Sequence, residues 1–225
     1  MVTKPTYTLY GSMRNRGGRI IWALEELKQD YTLIDLQLFK GEQRAPKFLK
    51  LNPHGKVPTL VIGKTQDDET NTDSLNQEVL VESLAILYTL AERHQALLPA
   101  ESKDRAQCHQ LMAFCATELE PPLWTQAKHS FVYPKKRRVP EIMPSCLFEY
   151  QRALNYLESV LGDERDYLLG SEFSLADIYI GQTLMWGRSR KFGELGIYCS
   201  AYIKRLRSRP AWERAISTVT AQETP

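Results

Sequence analysis

Two short stretches carry residues whose chemistry converges on a small acidic peptide. Asn52-Pro53-His54-Gly55-Lys56-Val57-Pro58-Thr59-Leu60 reads as a turn opening into an apolar strand, with proline at the strand's first residue. Proline has no N–H to give to a ladder, so it is tolerated where the chain bends or where the X–Pro bond is cis. A cis Val57–Pro58 bond leaves the N–H and C=O of Val57 unpaired and aimed at an extended peptide. Val79-Leu80-Val81-Glu82-Ser83-Leu84-Ala85-Ile86 reads as a strand running straight into a helix, with Glu82 and Ser83 at the junction. Free amides at such a helix start attract a carboxylate. Alone, Pro58 could simply open an edge strand, and Glu82 and Ser83 could be an ordinary helix start. Side by side they predict a pocket for a small peptide with a carboxylate at one end.

The elements that must hold these stretches in place follow from periodicity. Tyr7–Tyr10 is a short β-prone run, and Gly11 to Gly18 is a loop. Ile20, Leu24 and Leu27 recur at helical spacing, so about Gly17 to Lys28 is an amphipathic helix. Tyr31–Leu38 alternates as a second strand, and a short helix lies around Pro46–Leu49. Val57–Ile62 and Gln77–Val81 are two further strands, separated by an acidic polar insertion from Gly63 to Ser74 that is expected on the surface. Ser83–Arg93 is a helix. The first two strands, joined through a helix, should be parallel by a right-handed crossover, and the second pair antiparallel. That is a four-stranded mixed sheet with helices, the thioredoxin-like layout.

After a connector at 95–102 the pattern turns all-helical, with candidates at 103–118, 147–161, 175–187, 201–207 and 211–219. Gly162 sits where a left-handed C-terminal cap belongs. Ser174-Leu175-Ala176-Asp177 reads as a capping box, with Asp177 reaching back to Ser174. The expected organisation is a domain at 1–94, a linker at 95–102 and an all-helical domain at 103–225, an α/β plus all-α fold.

Composition excludes several classes. The 225 residues are 43% hydrophobic and 25% charged, ordinary for a soluble protein. A net charge of +2 gives no reason to expect nucleic acid as partner. No apolar run approaches the roughly 18 residues of a membrane span. Met1 to Pro5 contains no apolar leader core, so no signal peptide is visible. Cys108, Cys115, Cys146 and Cys199 lack CxxC spacing and read as reduced, buried thiols of a cytoplasmic protein. His54, His94, His109 and His129 lack ligand spacing, so no metal is expected. Lys135-Lys136-Arg137-Arg138, flanked by Pro134 and Pro140, reads as a solvated loop.

The chain resembles the cytosolic glutathione transferases along essentially its whole length. The resemblance is carried by Arg19-Ile20-Ile21-Trp22-Ala23-Leu24-Glu25-Glu26-Leu27, Leu51-Asn52-Pro53-His54-Gly55-Lys56-Val57-Pro58 and Val81-Glu82-Ser83-Leu84-Ala85-Ile86. Tyr167-Leu168-Leu169-Gly170 leading into Phe173-Ser174-Leu175-Ala176-Asp177-Ile178 strengthens it. The pattern is closest to bacterial and fungal members. The resemblance implies that Val57, held by cis-Pro58, pairs its backbone with the cysteinyl unit of glutathione. It implies that Ser83 binds the γ-glutamyl carboxylate and Glu82 lies near the amine, with Lys56 also against the tripeptide. Gln43, Arg44 and Lys40 become candidates for the glycine carboxylate. It further implies a homodimer, no metal, and an apolar electrophile site built from the helical domain, for which Phe114 and Trp124 are candidates.

Only the thiolate of glutathione attacks, and a free thiol of pKa about 8.5 is mostly protonated at neutral pH. Each unit by which a site lowers that pKa corresponds to about 1.4 kcal/mol of preferential thiolate stabilisation. Ser12-Met13-Arg14-Asn15-Arg16-Gly17-Gly18 precedes the first helix, where amides and the dipole favour an anion. Related sequences place an activating Ser at the position of Asn15. Here Asn15 is the first candidate donor to sulfur and Ser12 the second, although Asn15 alone could merely close an Asx turn. No cysteine lies in this loop, which disfavours a mixed disulfide with the protein. The expected activity is glutathione transfer to small apolar electrophiles. The alternatives are glutathione-dependent peroxide or disulfide reduction, or a non-catalytic binding module.

Overall fold

The computed structural model describes residues 6–63, 77–163 and 165–221; the predicted polar insertion lies, beyond Gly63, outside them. The chain divides into two compact units, Met1–Ala96 with Pro210–Pro225, and Leu97–Arg209.

In the first unit, β1 (Tyr7–Tyr10), β2 (Tyr31–Ile34), β3 (Thr59–Ile62) and β4 (Glu78–Val81) form one sheet in the order β2-β1-β3-β4. β1 is parallel to β2 and antiparallel to β3, and β3 is antiparallel to β4, which is the mixed thioredoxin-like sheet expected. The crossover between β1 and β2 is α1 (Gly17–Glu26), whose residues from Gly17 to Leu24 are all buried. α2 (Pro46–Leu51) precedes the turn at Asn52, and α3 (Ser83–His94) buries Ile86, Leu87, Leu90 and Ala91. α9 (Pro210–Ala221) packs on α1: the Trp22 and Trp212 rings meet edge-on, 4.8 Å between centroids. Arg214 clasps the end of α1, its Nε donating to Glu25 Oε2 at 2.8 Å and its Nη2 to the Glu25 carbonyl at 2.8 Å. The sequence reading grouped this last helix with residues 103–225; its packing is with α1.

Two strands are shorter than their apolar patterns. β2 was expected to reach Leu38 but ends at Ile34, because its partner β1 ends at Tyr10 and the last bond runs from the Gly11 N–H to the Ile34 carbonyl. Beyond it, Glu42 Oε2 accepts the Gln37 N–H at 2.7 Å and the chain tightens into a 3₁₀ turn over Leu38–Lys40. β3 begins at Thr59 rather than Val57, since Pro58 has no N–H for the ladder.

The second unit is helical: α4 (Ser102–Phe114), α5 (Glu120–Ala127), α6 (Met143–Val160), α7 (Leu175–Ser189) and α8 (Ile197–Arg207). α4 does not stop at Glu118. It continues through a π turn at Cys115–Leu119 into α5, a helix that carries Pro121 and Pro122 near its start and is absent from the sequence-based expectation. Those prolines fall in the first turn of α5, where a missing N–H costs little, and the wider π turn absorbs the mismatch. Gly162 is not the left-handed cap expected of it; α6 ends through Leu161 in right-handed conformation. The capping box is present: buried Asp177 accepts the Ser174 N–H at 2.8 Å and the Ser174 hydroxyl at 3.0 Å. It also accepts the Leu168 N–H at 3.0 Å and the Tyr202 hydroxyl at 2.8 Å, so one carboxylate ties α7 to α8. Among the described residues no helix is long and apolar enough to cross a membrane.

Candidate functional site

The first unit brings three chain segments into one candidate site: the loop before α1, the turn before β3, and the start of α3.

The loop from Ser12 to Gly17 is organised by a single carboxamide. Asn15 Oδ1 accepts the Gly17 N–H at 2.8 Å and the Ser12 N–H at 3.2 Å, while its Nδ2 donates to Ser12 Oγ at 3.0 Å. Two main-chain donors converge on one terminal atom, which identifies that atom as the oxygen. The Ser12 hydroxyl therefore accepts from Asn15 and keeps its own hydrogen, for which no acceptor exists among the described residues. Ser12 is 4% exposed and Asn15 half-buried. Gly17 is needed here: a Cβ would lie 2.7 Å from the Ser12 nitrogen and 2.8 Å from Gly11 Cα. The start of α1 is not the open set of amides that the sequence suggests. The Gly17 N–H goes to Asn15 Oδ1, that of Gly18 to the Asn15 carbonyl, and that of Arg19 to the Arg16 carbonyl.

The Val57–Pro58 bond is cis, as expected. No hydrogen bond to the main chain of Val57 is formed among the described residues, so its donor and acceptor are available to an extended ligand. The turn in front of it is built on buried Asn52. Its Oδ1 accepts the His54 N–H at 3.0 Å, and its Nδ2 donates to the Lys56 carbonyl at 2.9 Å and to Thr59 Oγ1 at 3.1 Å. Gly55, at φ +61°, lets the segment around Gln43 approach; a Cβ there would sit 2.8 Å from the Gln43 carbonyl oxygen. Arg44 Nη1 donates to the His54 carbonyl at 3.2 Å. The structure thus joins Gln43 and Arg44 to the turn that carries Lys56 and Val57. Gln43 Oε1 is buried without a partner among the described residues. Lys40 is exposed on the preceding 3₁₀ turn, and no bond ties it to this group.

At the end of β4, Glu82 adopts φ +67°, ψ +117°, a conformation that costs a non-glycine residue about 1–3 kcal/mol. It swings the chain from strand into α3. No side chain caps that helix, and among the described residues no hydrogen bond leaves the N–H groups of Ser83, Leu84 or Ala85. Ser83 is buried and its Oγ accepts from Arg19 Nη1 at 3.2 Å. Arg19 is fully buried in α1, a residue the sequence reading quoted only as part of a motif. Its one signal is a charge opening the run Arg19-Ile20-Ile21-Trp22, on a helix whose apolar residues leave no polar face there.

Phe114 ends α4 in the second unit, its ring against Tyr156 with centroids 4.7 Å apart, and Trp124 is half-buried in α5. The four cysteines all lie in that unit and are buried. Burial pushes the thiols of Cys108, Cys146 and Cys199 above the ordinary range, away from thiolate chemistry. Among the described residues no group of His, Cys, Asp and Glu could hold a metal ion.

A thioredoxin-like sheet with an unpaired main chain before a cis-proline, followed by a helical unit, defines a recognisable class. Residues 5–92 match the family described as Glutathione S-transferase, N-terminal domain, and residues 149–214 match Glutathione S-transferase, C-terminal domain. The chain belongs to the glutathione S-transferase family. It is 32% identical over 211 residues to the Disulfide-bond oxidoreductase YfcG of Escherichia coli (strain K12), covering 92% of this chain and 93% of that one. It is 28% identical over 201 residues to Glutathione S-transferase GstA of Escherichia coli O157:H7, covering 86% and 89%. In structure it is similar to glutathione transferase URE2P6 from Phanerochaete chrysosporium in complex with oxidized glutathione. That match has a TM-score of 0.73 and 26% identity over 94% of this chain and 95% of that one.

Proposed function

We propose that the protein binds glutathione in its first unit and uses the glutathione thiolate as nucleophile on small apolar electrophiles, as a bacterial- or fungal-type member with Asn15 in its first loop. The observation that carries this reading is the Ser12 hydroxyl, which accepts from Asn15 and has a hydrogen to give. Ser12 is the donor to sulfur and Asn15 its positioning residue, a reversal of the order inferred from sequence. Val57 pairs with the cysteinyl unit, and Pro58 holds that edge open. The uncapped amides of α3 and the Ser83 hydroxyl receive the γ-glutamyl carboxylate, with Glu82 beside the amine. Lys56, Gln43 and Arg44 flank the other end of the tripeptide, and Lys40 is the outlying candidate for its glycine carboxylate. Phe114 and Trp124 are the candidates in the helical unit for contact with the apolar co-substrate. Anion stabilisation and proximity supply the rate.

Disulfide reduction is the second reading, favoured by the likeness to a disulfide-bond oxidoreductase. The same thiolate would attack a disulfide, forming a mixed glutathione disulfide and releasing one thiolate. A second glutathione thiolate would then release the other thiolate and leave glutathione disulfide. No protein cysteine takes part, in keeping with four buried ones.

Conjugation of a chloronitrobenzene, reduction of a small disulfide and reduction of a hydroperoxide, each with about 1 mM glutathione, a substrate-range concentration, separate the readings. Thioether formation faster than the uncatalysed reaction is the expected result. Disulfide turnover alone would select the second reading. Retention on immobilised glutathione without any turnover would leave a binding module and overturn both.

A further inference from the structure

The net charge of +2 conceals an uneven distribution. Residues 186–210 hold seven Lys or Arg and a single carboxylate, Glu194. Three of the seven have evident partners: Arg205 pairs with Asp166 at 3.2 Å, Arg209 lies over the Phe173 ring at 3.7 Å, and Arg190 lies over Phe131 at 4.5 Å. The other four, Arg188, Lys191, Lys204 and Arg207, line one open concavity of about 680 Å³ in the second unit. All four are exposed, and none forms an ion pair among the described residues. No carboxylate lines the concavity.

The floor of this concavity is held in place. Gly193, at φ +77°, lies so close to α6 that a Cβ would be 2.8 Å from the Tyr150 ring. The side chain of Gln151 clamps the next residue from both sides, Oε1 accepting the Glu194 N–H at 2.8 Å and Nε2 donating to the Glu194 carbonyl at 3.0 Å. The N–H groups of Gly193 and Leu195, both residues of the lining, make no hydrogen bond among the described residues. Ser200 adds a hydroxyl to the same lining.

Cations near helix C-termini are ordinary, each worth a few tenths of a kcal/mol against the dipole. That accounts for Arg188 at the end of α7, and for Lys204 and Arg207 at the end of α8. It does not account for Lys191, which lies beyond α7, nor for four like charges converging without a counter-charge. We propose that this concavity binds a chain of linked phosphates, on an inorganic polyphosphate or on a nucleoside triphosphate. Such a chain matches the four charges along its length, whereas a single phosphate, at about −1.5 to −2, would leave half of them unmatched.

The test is calorimetric titration of the whole protein, saturated with glutathione so that its first-unit cations are occupied, in about 0.15 M salt, where distant surface charges are screened. The ligands are tripolyphosphate, adenosine triphosphate and orthophosphate. Saturable binding of either chain at least about tenfold tighter than orthophosphate is expected, and R188Q/K191Q or K204Q/R207Q should each weaken it at least about tenfold, a difference of 1.4 kcal/mol. K204R should retain it. Equal binding of the two chains would assign recognition to the phosphates alone, and tighter nucleotide binding would add contacts to the nucleoside; both support the site. Arg188, Lys191, Lys204 and Arg207 are exposed, whereas Arg138 is half-buried with its Nε donating to the Tyr133 carbonyl, and an unchanged thermal midpoint confirms intact folding of each variant. No saturable heat at about 1 mM ligand, binding unaltered in both double variants, or binding lost instead in K135Q/K136Q/R137Q/R138Q would overturn the proposal.

Discussion

A hydroxyl stabilises an anion only if its hydrogen is free to point there. Asn15 secures that condition for Ser12 by occupying the hydroxyl oxygen and leaving the hydrogen. The two residues therefore have separable effects. S12A removes the donor and should lower kcat/KM for conjugation about 10²–10³-fold, the usual cost of one donor to a developing or resident anion. The apparent pKa of the bound thiol should rise by about 2 units, since each unit is about 1.4 kcal/mol, and thiolate absorbance against pH would show it. N15A should lower activity similarly but also destabilise the fold by about 1 kcal/mol, because the Gly17 and Ser12 N–H groups lose their acceptor. If N15A were inactive while S12A kept full activity, the assignment would revert to the carboxamide as donor. Sequence alone could not order the pair. Asn offers both a donor and an acceptor, and which one faces its neighbours depends on distances that spacing does not encode. Arg19 was hidden for the opposite reason: its charge argues for exposure, and only packing reveals it fully buried against Ser83.

Helix starts carry much of the proposed site, and the starts of α3 and α8 are handled in opposite ways. α3 is left uncapped and is entered through a residue held at φ +67°. E82G should relieve that conformation and raise stability by about 1 kcal/mol, a rise of roughly 2–4 °C in Tm for a chain of this size. It should at the same time raise KM for glutathione about tenfold or more, by loss of a charged partner worth about 1.5–3 kcal/mol. Stability and binding both falling would mean that Glu82 is structural. α8 is capped from outside, by Glu158, whose carboxylate accepts the Tyr198 N–H at 2.7 Å and the Cys199 N–H at 2.9 Å. Partial burial pushes the carboxyl up, but these amides outweigh it and hold it below the ordinary range. A depressed folded pKa contributes stability above the unfolded value, and that stability is lost as pH falls through the folded one. E158Q should thus cost about 1 kcal/mol near neutral pH, as caps do, with the deficit shrinking in acid; a deficit independent of pH would contradict the charge as its cause. Strand and helix order was legible because periodicity and turn residues agreed over residues 7–94. The ends of β2 and β3 were not, since a strand stops where its partner does. α5 was not legible either, because a π turn lets a helix pass two prolines that normally read as a break.

At the scale of the molecule, the family assignment was readable from motifs spread over both halves, whereas the allegiance of the last helix was not. α9 follows the five helices α4 to α8 of the second unit in sequence, and nothing in Ala211-Trp212-Glu213-Arg214 names the partner of its apolar face. That partner is α1, the helix that also carries Arg19 and follows the Ser12 loop. Trp22 is fully buried and Trp212 is 9% exposed, so the edge-on pair is interior to the first unit. Arg214 adds a clasp on Glu25 at a half-exposed position, and such a pair is worth at most about 1 kcal/mol. The aromatic contact, not the ion pair, must therefore dominate the attachment. W212A should destabilise the protein by about 3 kcal/mol or more, lowering Tm by roughly 6–12 °C, whereas R214A should cost about 1 kcal/mol or less. Because the amides at the start of α1 hold the Ser12–Gly17 loop, in which the thiol donor is proposed to lie, loosening α9 should also reduce glutathione affinity in W212A before global unfolding sets in. Thermal scans with and without saturating glutathione would measure this, since a ligand that binds only the folded form stabilises it in proportion to its affinity. A W212A protein as stable as its parent, or one equally stabilised by glutathione at every temperature below Tm, would show that α9 is an appendage rather than a brace for the site.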